Sequence, residues 1–285
     1  MPGPLARSLR SPRVLIALGM ILCIAGCAIF AGFLSPHDPD EQNLLSILTP
    51  PAWATGGDPS YPLGTDSLGR DVLSRLIYGA RTAMLVAFFA SLGAMVIGSI
   101  LAHIAGYFGG AVDWIIGRMV DVWMSFPPVI LSLILMVGLG VGLGKVILAI
   151  VLVDWTRFCR VVRSEVLIVT RNDYVAAARL LGFTHWQTIL REVLPATLPL
   201  VITLVSLEMA IAVVVEAILS FVGLGVGADQ PAWGQMIADA RQYVYQSPSN
   251  LLLPIAAIFL TVTAFNLLGD GLRRTLDARL AEMGR

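Results

Sequence analysis

Apolar runs long enough to cross a bilayer recur along this chain, and they restrict it more than any other feature. Val14–Leu34, Ala83–Ile104, Val122–Leu143, Leu200–Val222 and Leu251–Leu268 each come close to the roughly twenty residues that carry a helix through the hydrocarbon core. Such a run must satisfy its own backbone polar groups in lipid, so each is expected to be helical. Charged residues make up 13% of the 285, against about 25% in soluble domains. The expected class is an all-α integral membrane protein. A formal net charge of zero argues against a nucleic-acid partner.

A sixth span is less regular. Beginning near Lys145, it is purely apolar only to Val153, after which Asp154, Arg157, Arg160 and Arg163 recur every third residue. Val146–Val153 covers only about 12 Å of helix, so neighbouring helices must shield the rest. Between the spans, Ser35–Tyr61 reads as irregular from its Pro, Gly and Asp content. From Pro62 to Arg81, Leu68, Val72, Leu73, Leu76, Ile77 and Ala80 share one face, which predicts an interfacial amphipathic helix capped by Thr65 or Asp66. Gly106–Asp121 reads as a short link carrying Asp113, Arg118 and Asp121, and Gly223–Asn250 as a polar loop.

The most ordered polar stretch is 172–195. Asp173 can cap a short helix, and Gly182 can end it in the left-handed conformation that glycine adopts cheaply. Thr184 and Gln187 have capping-box spacing. Trp186, Ile189, Leu190, Val193 and Leu194 then form an apolar stripe, which Pro195 and Pro199 are expected to interrupt. On local pattern alone the stretch is either an amphipathic connector or a docking element for a soluble partner.

Arginines orient the chain. They cluster at Arg7, Arg10 and Arg13, at Arg171, Arg179 and Arg191, and at Arg273, Arg274, Arg279 and Arg285. With six spans all three groups fall on one side, which the positive-inside rule makes cytoplasmic, termini included. Arg70, Arg75 and Arg81 then fall outside, against the rule. The first span follows a basic segment as a signal peptide would, but its length suits an uncleaved helix. Val-Gly-Leu-Gly-Val-Gly occurs at Val137–Gly142 and again at Val222–Gly227, at the outer ends of two spans.

Catalytic and cofactor sites find little support. Gly138–Lys145 is glycine-rich and ends in Lys, but a phosphate loop needs Gly where Leu139 stands and Ser or Thr where Val146 stands. His37, His103 and His185 are scattered, Cys23, Cys27 and Cys159 make no disulfide framework, and no metal-ligand spacing occurs. His103 reads as a packing residue. Glu208 and Glu216 stand out, because ionisable groups at membrane depth face a bundle interior or an aqueous path. They are translocation-path candidates, as are Asp154 and Arg157; each has a competing reading as a buried packing group.

The 172–195 stretch resembles the EAA loop of ABC-importer permeases. Ala176-Ala177-Ala178, Gly182 and Leu194-Pro195 fall at that family's spacing, with Ala176 in place of its Glu and Glu192 in place of its Ile. Leu63–Arg75, Glu216–Gly225, Pro231–Met236 and Phe265–Arg273 are similar to the C-type permeases of the dipeptide/oligopeptide group.

The resemblance implies a six-helix type I importer fold: a tail at 1–13, span 14–34, an extracytoplasmic segment 35–81, a five-helix core 82–270 and a tail at 271–285. It implies a multi-pass subunit of the cytoplasmic (inner) membrane. Its partners would be a B-type permease, two cytoplasmic ATP-binding subunits holding ATP and Mg, and an extracytoplasmic substrate-binding protein. The chain itself would be no enzyme and would bind no cofactor. The coupling residues implied are Tyr174, Ala176, Ala177, Ala178, Arg179, Gly182, Phe183 and Thr184. Without the family's Glu, docking is expected to rest on shape and apolar contact. Such permeases serve peptides, glutathione, nickel chelates or opines. Two other classes stay open: a membrane scaffold that uses the same loop, and a secondary transporter coupling an ion through Glu208 and Glu216.

Overall fold

A computed structural model describes residues 12–227 and 230–283, with side chains up to Arg273. Arg7, Arg10 and Arg285 lie outside the described residues, as do the side chains of Arg274 and Arg279. Among the described residues the regular structure is helical, with one isolated antiparallel bridge between Thr65 and Asp71. Helix α1, Pro12–Ile29, is followed by a helical turn at Ala31–Leu34 and then the irregular segment expected before Tyr61.

Helix α2 runs unbroken over Val72–Phe108, 37 residues or about 55 Å. The interfacial helix expected to end at Arg81 is therefore not separate from the span after it. No proline divides the two, and Gly79 serves close packing against Trp233 rather than a break. The N-cap is Asp71, not Thr65 or Asp66: its carboxylate accepts from the Ser74 N–H at 2.9 Å. Asp66 instead accepts from Arg70 Nε at 2.7 Å, and Arg70 reaches on to Asp239 at 3.2 Å. Asn250 donates to the Thr65 carbonyl at 2.8 Å. The segment before α2 is thus fastened both to the segment before the last helix and to that helix's first turn.

The expected third span divides. Gly110–Met124, which takes in most of the expected link Gly106–Asp121 and the start of that span, is helix α3, and Pro128–Leu139 is helix α4, bent from it by 85°. Pro127 keeps Phe126 out of the helical region and Pro128 is suited to a first turn, so the break falls between them and Met124. Helix α5, Leu143–Val169, begins where that span was expected to end.

Helix α2 packs on α5 through small residues. Ala90, Ala94, Gly98, Ala102 and Gly106 repeat every fourth position and are all buried. A Cβ on Gly98 would come within 2.5 Å of Phe158 Cβ, and one on Gly106 within 2.7 Å of Val166 Cγ1. Close backbone approach of this kind is how helices associate in lipid, where expulsion of water supplies no drive. It provides the shielding that α5 requires.

After helix α6, Asp173–Leu180, comes helix α7, His185–Phe221, continuous over 37 residues. The prolines do not interrupt it. Its second turn is a π-helix over Ile189–Val193, in which the Leu194 N–H reaches back to the Ile189 carbonyl. This wider turn accommodates the proline ring and missing N–H that follow. The loop after α7 holds helix α8, Trp233–Ala240, whose Trp233 is buried and donates to the Leu76 carbonyl at 3.0 Å. Helix α9, Pro248–Met283, continues through the expected start of the tail.

By length and composition α1, α2, α7 and Pro248–Arg273 of α9 can each cross a membrane, and α3–α4 makes a fifth if counted as one broken span. Helix α5 has 27 residues, about 40 Å, but carries Lys145 and Glu165 besides the four charges that recur every third residue. The two glycine-rich echoes meet: the Gly142 N–H donates to the Gly225 carbonyl at 3.0 Å.

Candidate coupling site and buried charges

Asn172, not Asp173, occupies the N-cap of α6 and makes no side-chain capping bond. Asp173 is the first helical residue, where its charge favours the helix dipole. Gly182 has φ 88° and closes the helix: its N–H donates to the Arg179 carbonyl at 3.0 Å and the Phe183 N–H to Ala178 at 3.2 Å. The next helix starts at once. Thr184 Oγ1 accepts from the Gln187 N–H at 3.3 Å while Gln187 Oε1 accepts from the Thr184 N–H at 2.9 Å, completing the capping box.

The turn has two faces. Val175 and Ala178 are buried, and Val175 packs with Val169, Ile189 and Val193. Tyr174, Ala176, Ala177, Arg179, Gly182 and Thr184 are exposed, Phe183 partly so. Leu180 and Leu181 are 90% and 80% exposed. Ala176, standing where the resembling family has Glu, presents only a methyl group.

Sequence reasoning did not find what holds this turn to the bundle. The Tyr107 ring, at the end of α2, lies 4.7 Å from the Arg179 guanidinium, and its hydroxyl is 3.1 Å from His185 Nδ1. Phe108 packs beside His185 and Trp186. One turn earlier, His103 Nε2 lies 2.9 Å from Thr197 Oγ1, a second link from α2 to α7. The pairs are 78 and 94 residues apart, so only the aromatic pairs Tyr107-Phe108 and His185-Trp186 at two helix ends could have hinted at them.

The translocation-path candidates fall into two places. Arg157 donates to Glu208 at 3.3 Å and lies 3.8 Å from Asp154. Asp154 and Glu208 are both buried, so two carboxyls share one guanidinium. Glu216, eight residues on and about 12 Å away along α7, is not in this group. It is 1% exposed and accepts from Ser220 Oγ at 2.6 Å. Further along α5, Arg160 pairs with Asp121 at 2.7 Å and Arg163 makes two hydrogen bonds to Asp113. The residues read as a link therefore carry the partners of Arg160 and Arg163. Among the described residues no three His, Cys, Asp or Glu side chains converge as a metal site.

A multi-helix membrane bundle with an exposed, doubly capped turn joining two of its helices fits a transport permease. Residues 94–282 match the binding-protein-dependent transport system inner membrane component family, and residues 5–51 match the N-terminal TM domain of oligopeptide transport permease C. The chain belongs to this family of ABC-importer permeases. Among curated relatives, it is 39% identical over 273 residues to the dipeptide transport system permease protein DppC of Escherichia coli K12, covering 96% of this chain and 91% of that one. It is 38% identical to the nickel transport system permease protein NikC of the same organism, covering 94% of each. To the glutathione transport system permease protein GsiD of Pectobacterium atrosepticum it is 35% identical, covering 94% and 87%. The chain is a multi-pass inner-membrane transport subunit and not an enzyme. Its family works in general with a partner permease, ATPases and a substrate-binding protein.

Proposed function

We propose that this chain is the C-type permease of an ATP-driven importer of di- and oligopeptides. Tyr174–Thr184 is its coupling element toward an ATPase. The observation that carries the reading is the turn itself: Gly182 and the Thr184–Gln187 box fix its shape, it exposes Leu180 and Leu181, and it leads without a break into α7. A rigid element joining a docking surface to a membrane helix is what a two-state, rigid-body switch requires. In this reading the six spans place both termini and the turn in the cytoplasm. Residues 35–81 lie outside, and residues 82–270 form half of the pore with a B-type partner. Two partner ATPases hold ATP and Mg.

The test is reconstitution with the partner permease, both ATPases and the binding protein. Uptake of a labelled dipeptide that requires ATP and every partner is expected. Uptake driven by a proton gradient with this chain alone would instead establish the secondary-transporter reading. The identities to nickel and glutathione permeases keep those solutes as the second reading, and competition by a nickel chelate or glutathione in the same vesicles decides it. Glu216→Gln is expected to lower transport with the complex still assembled, since Gln can accept from Ser220 as Glu does; loss of assembly would assign Glu216 to packing.

A further inference from the structure

Between α3 and α5 lies an open cavity of about 470 Å³ lined by charged groups that the coupling site does not use. Its size is that of a small-molecule site. Asp113 is fully engaged, because Nε and Nη2 of Arg163 both donate to it. Asp121 serves two cations, Arg160 at Oδ1 (2.7 Å) and Arg118 at Oδ2 (2.9 Å). Three guanidiniums thus face two carboxylates, and the surplus positive charge belongs to Arg118 and Arg160, whose side chains are 63% and 52% exposed.

Arg160 is nine residues before the end of α5 at Val169, about 14 Å along the axis. An exposed guanidinium at that depth faces water or a polar partner rather than lipid tails. Each guanidinium has five N–H donors in a planar fork that suits a carboxylate.

We propose that this cavity is a way-station in which Arg118 and Arg160 hold the carboxylate of the transported solute, an inference that rests on the importer reading above. A peptide brings the same terminal carboxylate whatever its side chains, so one pair of arginines serves many sequences. Asp121 holds one guanidinium on each of its two oxygens and keeps the surplus at one charge.

Gly117 is on the same wall, and a Cβ there meets nothing within 4 Å. Gly117→Cys therefore puts a reporter thiol in the cavity without repacking. In the complete reconstituted importer, dialanine is expected to slow labelling of that thiol by a hydrophilic maleimide, and dialanine amide to leave it unchanged. Adding Arg160→Gln should abolish the protection and lower dialanine uptake by about tenfold; Arg160→Lys should retain part of both. Equal protection by acid and amide, or none by either, overturns the proposal. A thiol that reacts in the isolated chain but never in the importer places the cavity in a subunit interface and also overturns it. Failure of the importer reading shows separately, as absence of ATP-dependent dialanine uptake by the unsubstituted complex.

Discussion

Gly182 holds φ 88° at the tip of the proposed coupling turn, with open space where a side chain would go. A substitution there is resisted by backbone strain alone, about 1–2 kcal/mol for an ordinary L-residue. Gly182→Val is expected to raise the ATP hydrolysed per solute imported while the complex still assembles. Gly182→Asn, which tolerates the left-handed region, should leave that ratio near its starting value. At Arg157 the expected effect is on stability. Arg157→Gln leaves Asp154 and Glu208 facing each other without a cation, at a cost of about 1–3 kcal/mol given that the guanidinium is partly solvated. Glu208→Gln, which relieves the crowding, should lower the melting temperature less. Gly182 and the capping box were legible in the sequence because each acts within a few residues. Glu208 was legible only as costly, because its partner is 51 residues away and on another helix.

For the elements, hydrophobicity placed most of the helices and missed their breaks. Apolar runs locate a span, but whether two runs join depends on proline and on what packs between them. That is why α2 absorbed a helix expected to be interfacial, and why Pro127-Pro128 divided a span expected to be whole. The repeat from Ala90 to Gly106 went unread in the sequence, because small residues acquire meaning only with a partner. Here Phe158 and Val166 on α5 supply it. Gly98→Leu is expected to force α2 and α5 apart, at about 1–3 kcal/mol or more, seen as loss of folded chain from the membrane. Gly19→Leu on α1, where nothing lies within 4 Å, should have no such effect.

At the scale of the whole molecule, the coupling turn is one end of α7, with no joint between the turn and Phe221. Inserting two glycines after Val193 is expected to leave ATP hydrolysis in place and to reduce uptake sharply, measured as solute imported per ATP. Helix α2 runs the length of the same bundle. Ser74 and Arg75 near its start are tied to His37 and Pro39 of the segment 35–71, and Tyr107 at its end holds Arg179 and His185. In the proposed orientation one rod is thus gripped from outside by the extracytoplasmic segment and from inside by the proposed coupling turn. Events on the two membrane faces are then kept in phase, because neither face can advance without bending or carrying along the helix that the other holds.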